Sequence, residues 1–130
     1  MNVSLPIWRS MLFVPAHVEK FVAAAHKRGA DGYILDLEDA VPLEQKAQAR
    51  AMLASGAAQV SQAGAAVLVR INAQAEMIAA DLDAAVIPAV RALVLPKVND
   101  AQTVQDIVAR IAVLEAQRGI TPGHTLLIAQ

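Results

Sequence analysis

The sequence predicts an α/β domain in which buried parallel strands alternate with helices. Two observations carry this reading. Five short runs are apolar instead of alternating, at residues 11–14, 33–37, 66–71, 92–95 and 126–129, interrupted only by Asp36 and Arg70 near two of their ends, as in strands covered on both faces. The segments between them carry helical patterns. The composition agrees: 56% of the 130 residues are hydrophobic but only 3% aromatic, so alanine and branched aliphatics dominate, which favours helices packed on a buried sheet.

Each element has its own signal. Val18, Phe21, Val22 and Ala25 recur at helical spacing after the first strand, with Glu19, Lys20 and Lys27 elsewhere on the wheel. Gly32 precedes the second run, and the alanine-rich stretch 43–62 follows it, with Pro42 suited to a first helical turn. Gly64 introduces the third run. Residues 76–86 form a weaker helix that ends near Pro88. After the fourth run, Val104, Ile107, Val108, Ile111 and Leu114 make a clean apolar stripe. Asn99 is the predicted N-cap of that helix, with Gln102 three residues on, and Gly119 its stop. Pro122-Gly123 leads into the fifth run.

Strict alternation implies right-handed crossovers and a parallel sheet, either closed or open. An open nucleotide-binding sheet carries glycines in its first strand-to-helix turn, and here that turn reads Pro15-Ala16-His17-Val18. A closed (β/α)8 barrel builds its site at the C-terminal ends of its strands. The polar residues Asp36, Glu38, Asp39, Arg70, Asn72 and Lys97 fall at such ends. The prediction is the N-terminal part of a TIM barrel. Residues 1–130 are read as one incomplete barrel domain holding strands one to five.

Charge and composition narrow the function. A net charge of −1 with interspersed signs offers no stripe for nucleic acid. Pro6, Trp8 and Arg9 interrupt the N-terminal apolar stretch, which therefore does not read as an export signal. No window approaches the roughly 18 apolar residues of a membrane span. The absence of cysteine removes disulfides, thiolate metal sites and a cysteine nucleophile, and fits a cytoplasmic location.

Three carboxylates within four residues, Asp36, Glu38 and Asp39, follow a buried strand. Extended geometry sends Asp36 and Glu38 to one side and Asp39 to the other. Such carboxylates suit Mg²⁺, directly or through its waters; the alternative is that Asp39 caps the next helix and Glu38 is solvated. Arg70 stands in an apolar strand, where a guanidinium needs an anionic partner. It is a candidate for gripping a substrate carboxylate or a developing oxyanion, or for an internal pair with Asp36 or Glu38. Lys97 suits an ion pair or solvent better than a Schiff base. His17, His26 and His124 are not spaced as a ligand set and read as surface or capping residues, with His17 set apart by its place in the first strand-to-helix loop. Trp8, Phe13 and Phe21 read as packing residues, Phe13 near a strand end.

Four stretches in order, Arg9-Ser10-Met11-Leu12-Phe13-Val14-Pro15, Gly29 to Val41 (GADGYILDLEDAV), Val69-Arg70-Ile71-Asn72 and Leu95-Pro96-Lys97-Val98, resemble successive motifs of the HpcH/HpaI aldolase and citrate lyase β-subunit family. The resemblance spans essentially the whole chain. It implies a (β/α)8 barrel, a homo-oligomer (a trimer or a multiple of it), and dependence on Mg²⁺ or Mn²⁺. It implies carbon–carbon cleavage of a 3-hydroxyacyl-CoA of the citryl-, malyl- or citramalyl-CoA type into acyl-CoA and an oxo acid. By the same resemblance Arg70 is catalytic and binds the oxo-acid part. Glu38 and Asp39 lie beside the metal holding its waters, and Phe13 lines the acyl-CoA entrance. Asp36, Asn72 and Lys97 are further substrate-binding candidates.

The direct metal ligands implied are a glutamate at the end of strand five and an aspartate on strand six. Leu127-Ile128-Ala129-Gln130 resembles the run just before that glutamate, so no direct ligand is expected within 1–130. Val22-Ala23-Ala24-Ala25 lacks the basic residue that relatives often direct at the CoA phosphates, although Lys20, Lys27 and Arg28 are near. This leaves an aldolase acting on free hydroxy-keto acids, and an inactive truncated piece, as alternatives.

Overall fold

The computed structural model describes residues 4–130. The strands are β1 (Met11–Pro15), β2 (Gly32–Asp36), β3 (Ala66–Arg70), β4 (Ala92–Leu95) and β5 (Leu126–Ala129). All neighbours pair in parallel, and the spatial order is β1-β2-β3-β4-β5. A doubly wound sheet reverses direction from an inner strand. Here the order is sequential from first to last, as in a barrel wall.

The two faces of the sheet differ, and period-two alternation assigns them. Val14, Tyr33, Leu35, Leu37, Val67, Val69, Ile71, Leu93 and Leu95 pack into one core with helical residues such as Val22, Leu53, Leu82, Ile107 and Leu114. The opposite face is a separate layer of Ile34, Leu68, Ala92 and Val94, with Trp8, Ala66, Leu126 and Ile128 against it and no helical residue among them. Helices on one face and an apolar layer on the other are what a closed barrel requires of its outside and inside. Trp8 packs in this inner layer, as read from sequence. Phe21 does not: it is half-exposed on the first helix, with the Lys20 ammonium 5.9 Å from its ring.

The helices follow the patterns with instructive departures. α1 is Glu19–Ala25, prolonged by a 3-10 turn at His26–Arg28 that ends on Gly29 at φ 75. The stretch predicted as one helix over 43–62 is a 3-10 turn, Leu43–Gln45, then α2 (Lys46–Ala51) and α3 (Leu53–Val60). The break is Met52, at φ −89 and ψ −5, whose amide is shared between the carbonyls of Gln48 and Ala49. α4 is Ala75–Ala85 and α5 is Ala101–Gln117.

The predicted cap at Asn99 is corrected to Asp100. Its Oδ1 accepts the Thr103 amide at 2.7 Å and its Oδ2 the Thr103 hydroxyl at 3.1 Å. A carboxylate one residue before the helix meets both the free amides and the positive end of the helix dipole. Gln102, the predicted box partner, bonds Asp106 instead.

Candidate active site at the C-terminal strand edge

The parallel register places Asp36 opposite Arg70 at the ends of β2 and β3. Both side chains project to the inner face, being two residues beyond Ile34 and Leu68. They meet in a two-point clamp: Arg70 Nε donates to Asp36 Oδ1 at 2.9 Å and Nη2 to Oδ2 at 2.7 Å. The same two oxygens accept the amides of Glu38 and Ala40, at 2.9 and 3.1 Å. Burial opposes ionisation of Asp36, but Arg70 and these amides outweigh it and hold the carboxyl below the ordinary carboxylate range. The Asp36 hydrogen bond in turn raises the Arg70 guanidinium further above its already high value.

Glu38 follows on the same side. It is buried, with Oε1 3.5 Å from Arg70 Nε and Oε2 accepting Lys97 Nζ at 2.7 Å. The solvated alternative for Glu38 is therefore excluded. Asp39 is exposed, 3.8 Å from the Lys97 ammonium, and caps no helix. It lies on the same rim as Glu38 although alternation sends it to the opposite side, because the chain leaves extended geometry after β2. Lys97 is raised above its ordinary range, first by its hydrogen bond to Glu38 and then by the charges of Glu38 and Asp39.

The other predicted residues divide. The Phe13 ring lies 4.5 Å from the Arg70 guanidinium carbon, a cation–π contact on the open margin of β1. Beside it a hollow of about 490 Å³ is floored by Leu12, Phe13, Phe21 and Ala24, with Arg28 at its edge. Asn72 is not brought into the ion-pair cluster. It is buried, and both its amide and its Nδ2 donate to Asp81 Oδ2, at 2.7 and 2.8 Å. Its Oδ1 has no partner, and the residue lines a cavity of about 250 Å³ between Ile78, Lys97 and Val104. The His124 ring reaches the Pro88 carbonyl, far from the acids in sequence, and Arg91 donates to the His124 carbonyl.

Sequence reasoning missed three supports. Lys46 donates to the carbonyls of Leu37 and Glu38, both at 2.9 Å, and so fixes the acidic loop. Asp81, fully buried, ties the end of β3 to α2 through Arg50 Nε at 3.1 Å. Gln130 Oε1 lies 3.4 Å from Arg70 Nη1. Only the apolar surroundings of Asp81 in its helix, Leu82 beside it, hinted at burial.

The cluster sits where the sequence motifs fall, and a family model supplies the decisive match: HpcH/HpaI aldolase/citrate lyase, over residues 9–130. The chain belongs to this family. Among HpcH/HpaI relatives, it is 37% identical to the citrate lyase subunit beta of Escherichia coli K12 over 122 residues, covering 93% of this chain and 40% of that protein. It is 32% identical to a (3S)-malyl-CoA thioesterase of Cereibacter sphaeroides ATCC 17029, covering 87% of this chain and 42% of that protein. The chain thus spans about two fifths of the length of these curated relatives. A magnesium/glyoxylate complex of Haloferax volcanii malate synthase superposes with a TM-score of 0.80 at 16% identity, over 94% of this chain and 42% of that one. That likeness shows the fold.

The donor chemistry bears on the metal the family resemblance implies. The rim offers carboxylate oxygens without sulfur or imidazole, which suits a hard cation such as Mg²⁺. Asp36 is spent on four hydrogen bonds. Among the described residues no group of three or more acids or histidines is placed to hold an ion. Of the other two rim carboxylates, Glu38 is paired with Lys97 at 2.7 Å and lies 3.5 Å from Arg70, and Asp39 is exposed. Among the described residues, no helix is long and apolar enough to cross a membrane.

Proposed function

We propose that the protein carrying this segment is a carbon–carbon lyase that cleaves a 3-hydroxyacyl-CoA of the citryl-, malyl- or citramalyl-CoA type into an acyl-CoA and an oxo acid. The observation that supports it most is the clamped Arg70. Asp36 takes Nε and Nη2, leaving Nη1 on the rim with, among the described residues, only the long contact to exposed Gln130. A guanidinium fixed on one side and open on the other is preorganised for an anionic ligand.

In this reading Arg70 Nη1 binds the carboxylate or developing oxyanion of the oxo-acid half. Removal of the substrate's hydroxyl proton turns C–O⁻ into C=O as the carbon–carbon bond breaks. The electron pair passes to the thioester carbonyl as an enolate, which is then protonated on carbon. Glu38 and Asp39 hold the waters of Mg²⁺ or Mn²⁺, which when bound supplies Lewis acidity and a template for the hydroxy acid. The Phe13 ring, against Arg70, lines the approach of the acyl-CoA. We assign the active form as a homo-oligomer, a trimer or a multiple of it, by the same family resemblance.

The test is turnover of malyl-, citramalyl- and citryl-CoA in the presence of Mg²⁺, with oxo acid and free CoA both measured. Oxo acid without free CoA supports the lyase; free CoA without oxo acid makes it a thioesterase, as the Cereibacter relative is named. Cleavage of free hydroxy-keto acids but of none of the CoA esters supports the aldolase reading, to which the lack of a basic residue in 22–25 points. Arg70→Ala should lower kcat on the order of 10²-fold or more with metal binding retained. Unchanged turnover refutes the role of Arg70.

A further inference from the structure

We infer that Lys46 is a positioning residue for the rim: its ammonium fixes the peptide joining Leu37 to Glu38, and so fixes where the Glu38 carboxylate meets Arg70 and Lys97. The geometric part stands by itself, and the effect on turnover rests on the reading just given. Three observations carry it.

The first is that this one peptide is gripped at both ends. Its N–H, that of Glu38, donates to Asp36 Oδ1 at 2.9 Å, and its carbonyl, that of Leu37, accepts Lys46 Nζ at 2.9 Å. An anion at the N–H and a cation at the C=O align the peptide dipole between them, with charge-assisted bonds on both sides. Asp36 Oδ1 also accepts Arg70 Nε. Guanidinium, carboxylate, peptide and ammonium therefore form one row, in which each bond polarises the next.

The second is where the grip falls. Residues 37–42 belong to no strand or helix, and the chain passes there from fully buried Leu37 to exposed Asp39 and Ala40. The same two side chains hold the following step as well: Lys46 donates to the Glu38 carbonyl at 2.9 Å, and Asp36 Oδ2 accepts the Ala40 amide at 3.1 Å.

The third is the mounting of Lys46. It opens α2, where a positive charge opposes the helix dipole. Its ammonium meets carbonyls, while the carboxylate of Glu38 turns to Lys97 and Arg70. Arg50, one turn further along α2, is tied to buried Asp81 at 3.1 Å, and Asp81 holds the Asn72 amide beyond Arg70. The helix is thus anchored to the end of β3, and Lys46 extends that anchorage to the loop after β2.

The experiment uses the whole protein and compares wild type, Lys46→Met and, as a control for lost stability alone, Asp100→Ala at the cap of α5. Hydrogen exchange is read at the Glu38 and Ala40 amides against Leu35 and Val69 in the strands, and kcat and KM on whichever CoA ester the wild type cleaves. Lys46→Met should speed exchange at Glu38 and Ala40 about tenfold more than at Leu35 and Val69. It should also lower kcat about tenfold, with KM changed by less than about twofold. Asp100→Ala should show neither effect. An equal change at all four amides in Lys46→Met makes the lysine a general stabiliser and overturns the inference, as does a loosened loop with kcat unchanged. If Lys46→Met does not fold, Lys46→Gln, which keeps a donor without the charge, is read in the same way. Absence of turnover in the wild type overturns the proposed function instead, and the exchange difference still decides whether Lys46 holds the loop.

Discussion

Asp36 and Arg70 are register partners on β2 and β3, and their side chains repeat that pairing above the sheet through two hydrogen bonds of 2.9 and 2.7 Å. Strand pairing and ion pairing are here one geometric fact. Replacing Asp36 by Asn leaves a mostly buried guanidinium facing a neutral amide. The expected cost is about 3 kcal/mol, at the low end for a broken buried pair because Arg70 keeps some access to water. Urea denaturation of both proteins at neutral pH measures it.

The same pair sets an acid limit. The folded-state pKa of Asp36 lies below its unfolded value of about 3.9. The folded protein therefore binds fewer protons in that interval, and stability falls as pH falls. The Asp36 contribution is fully present above about pH 4 and is lost progressively as pH drops through the depressed folded pKa. Urea midpoints followed downward from pH 5 should decline, and the decline should be shallower in Asp36→Asn. An identical slope in the two proteins would show that other carboxylates carry the effect.

Much of this was legible in the sequence, for a physical reason. Strands buried on both faces must be continuously apolar, so a charged residue at their ends is conspicuous. That exposed Asp36, Glu38 and Arg70 as a group, and Leu126–Ala129 as a strand. The Arg70 alternatives, internal pair or substrate contact, do not exclude each other: the pair uses one side of the guanidinium and leaves the other open. What remained hidden depends on neighbours distant in the chain. Asn72 reads as a strand-end ligand until α4 brings Asp81 to it. Lys46 looks like any helix lysine until its ammonium is found on two carbonyls. The break at Met52 has no glycine or proline to announce it.

Asp81 supports the rim from behind. Its carboxylate accepts from Arg50 and twice from Asn72, with no exposure to solvent. Asp81→Ala strands two donors of Asn72 and one of Arg50, and should cost about 3 kcal/mol. Thermal or chemical unfolding checks this. A loss below about 0.5 kcal/mol would mean that water replaces the carboxylate fully.

The cap of α5 separates two adjacent residues. Asp100→Ala should destabilise by about 1 kcal/mol, whereas Asn99→Ala should fall within about 0.5 kcal/mol of wild type. Equal losses from the two substitutions would contradict the capping bonds to Thr103.

Among the described residues, the layer of Ile34, Leu68, Ala92 and Val94 holds none from a helix. The shell that stabilises the strands from outside and the lining that meets whatever enters from the rim are therefore made of alternate residues of the same five strands. Substitutions in one set need not be matched in the other. A chain built this way has room to change what it accepts while keeping how it folds, which is a route by which relatives named for a lyase and for a thioesterase can share one scaffold.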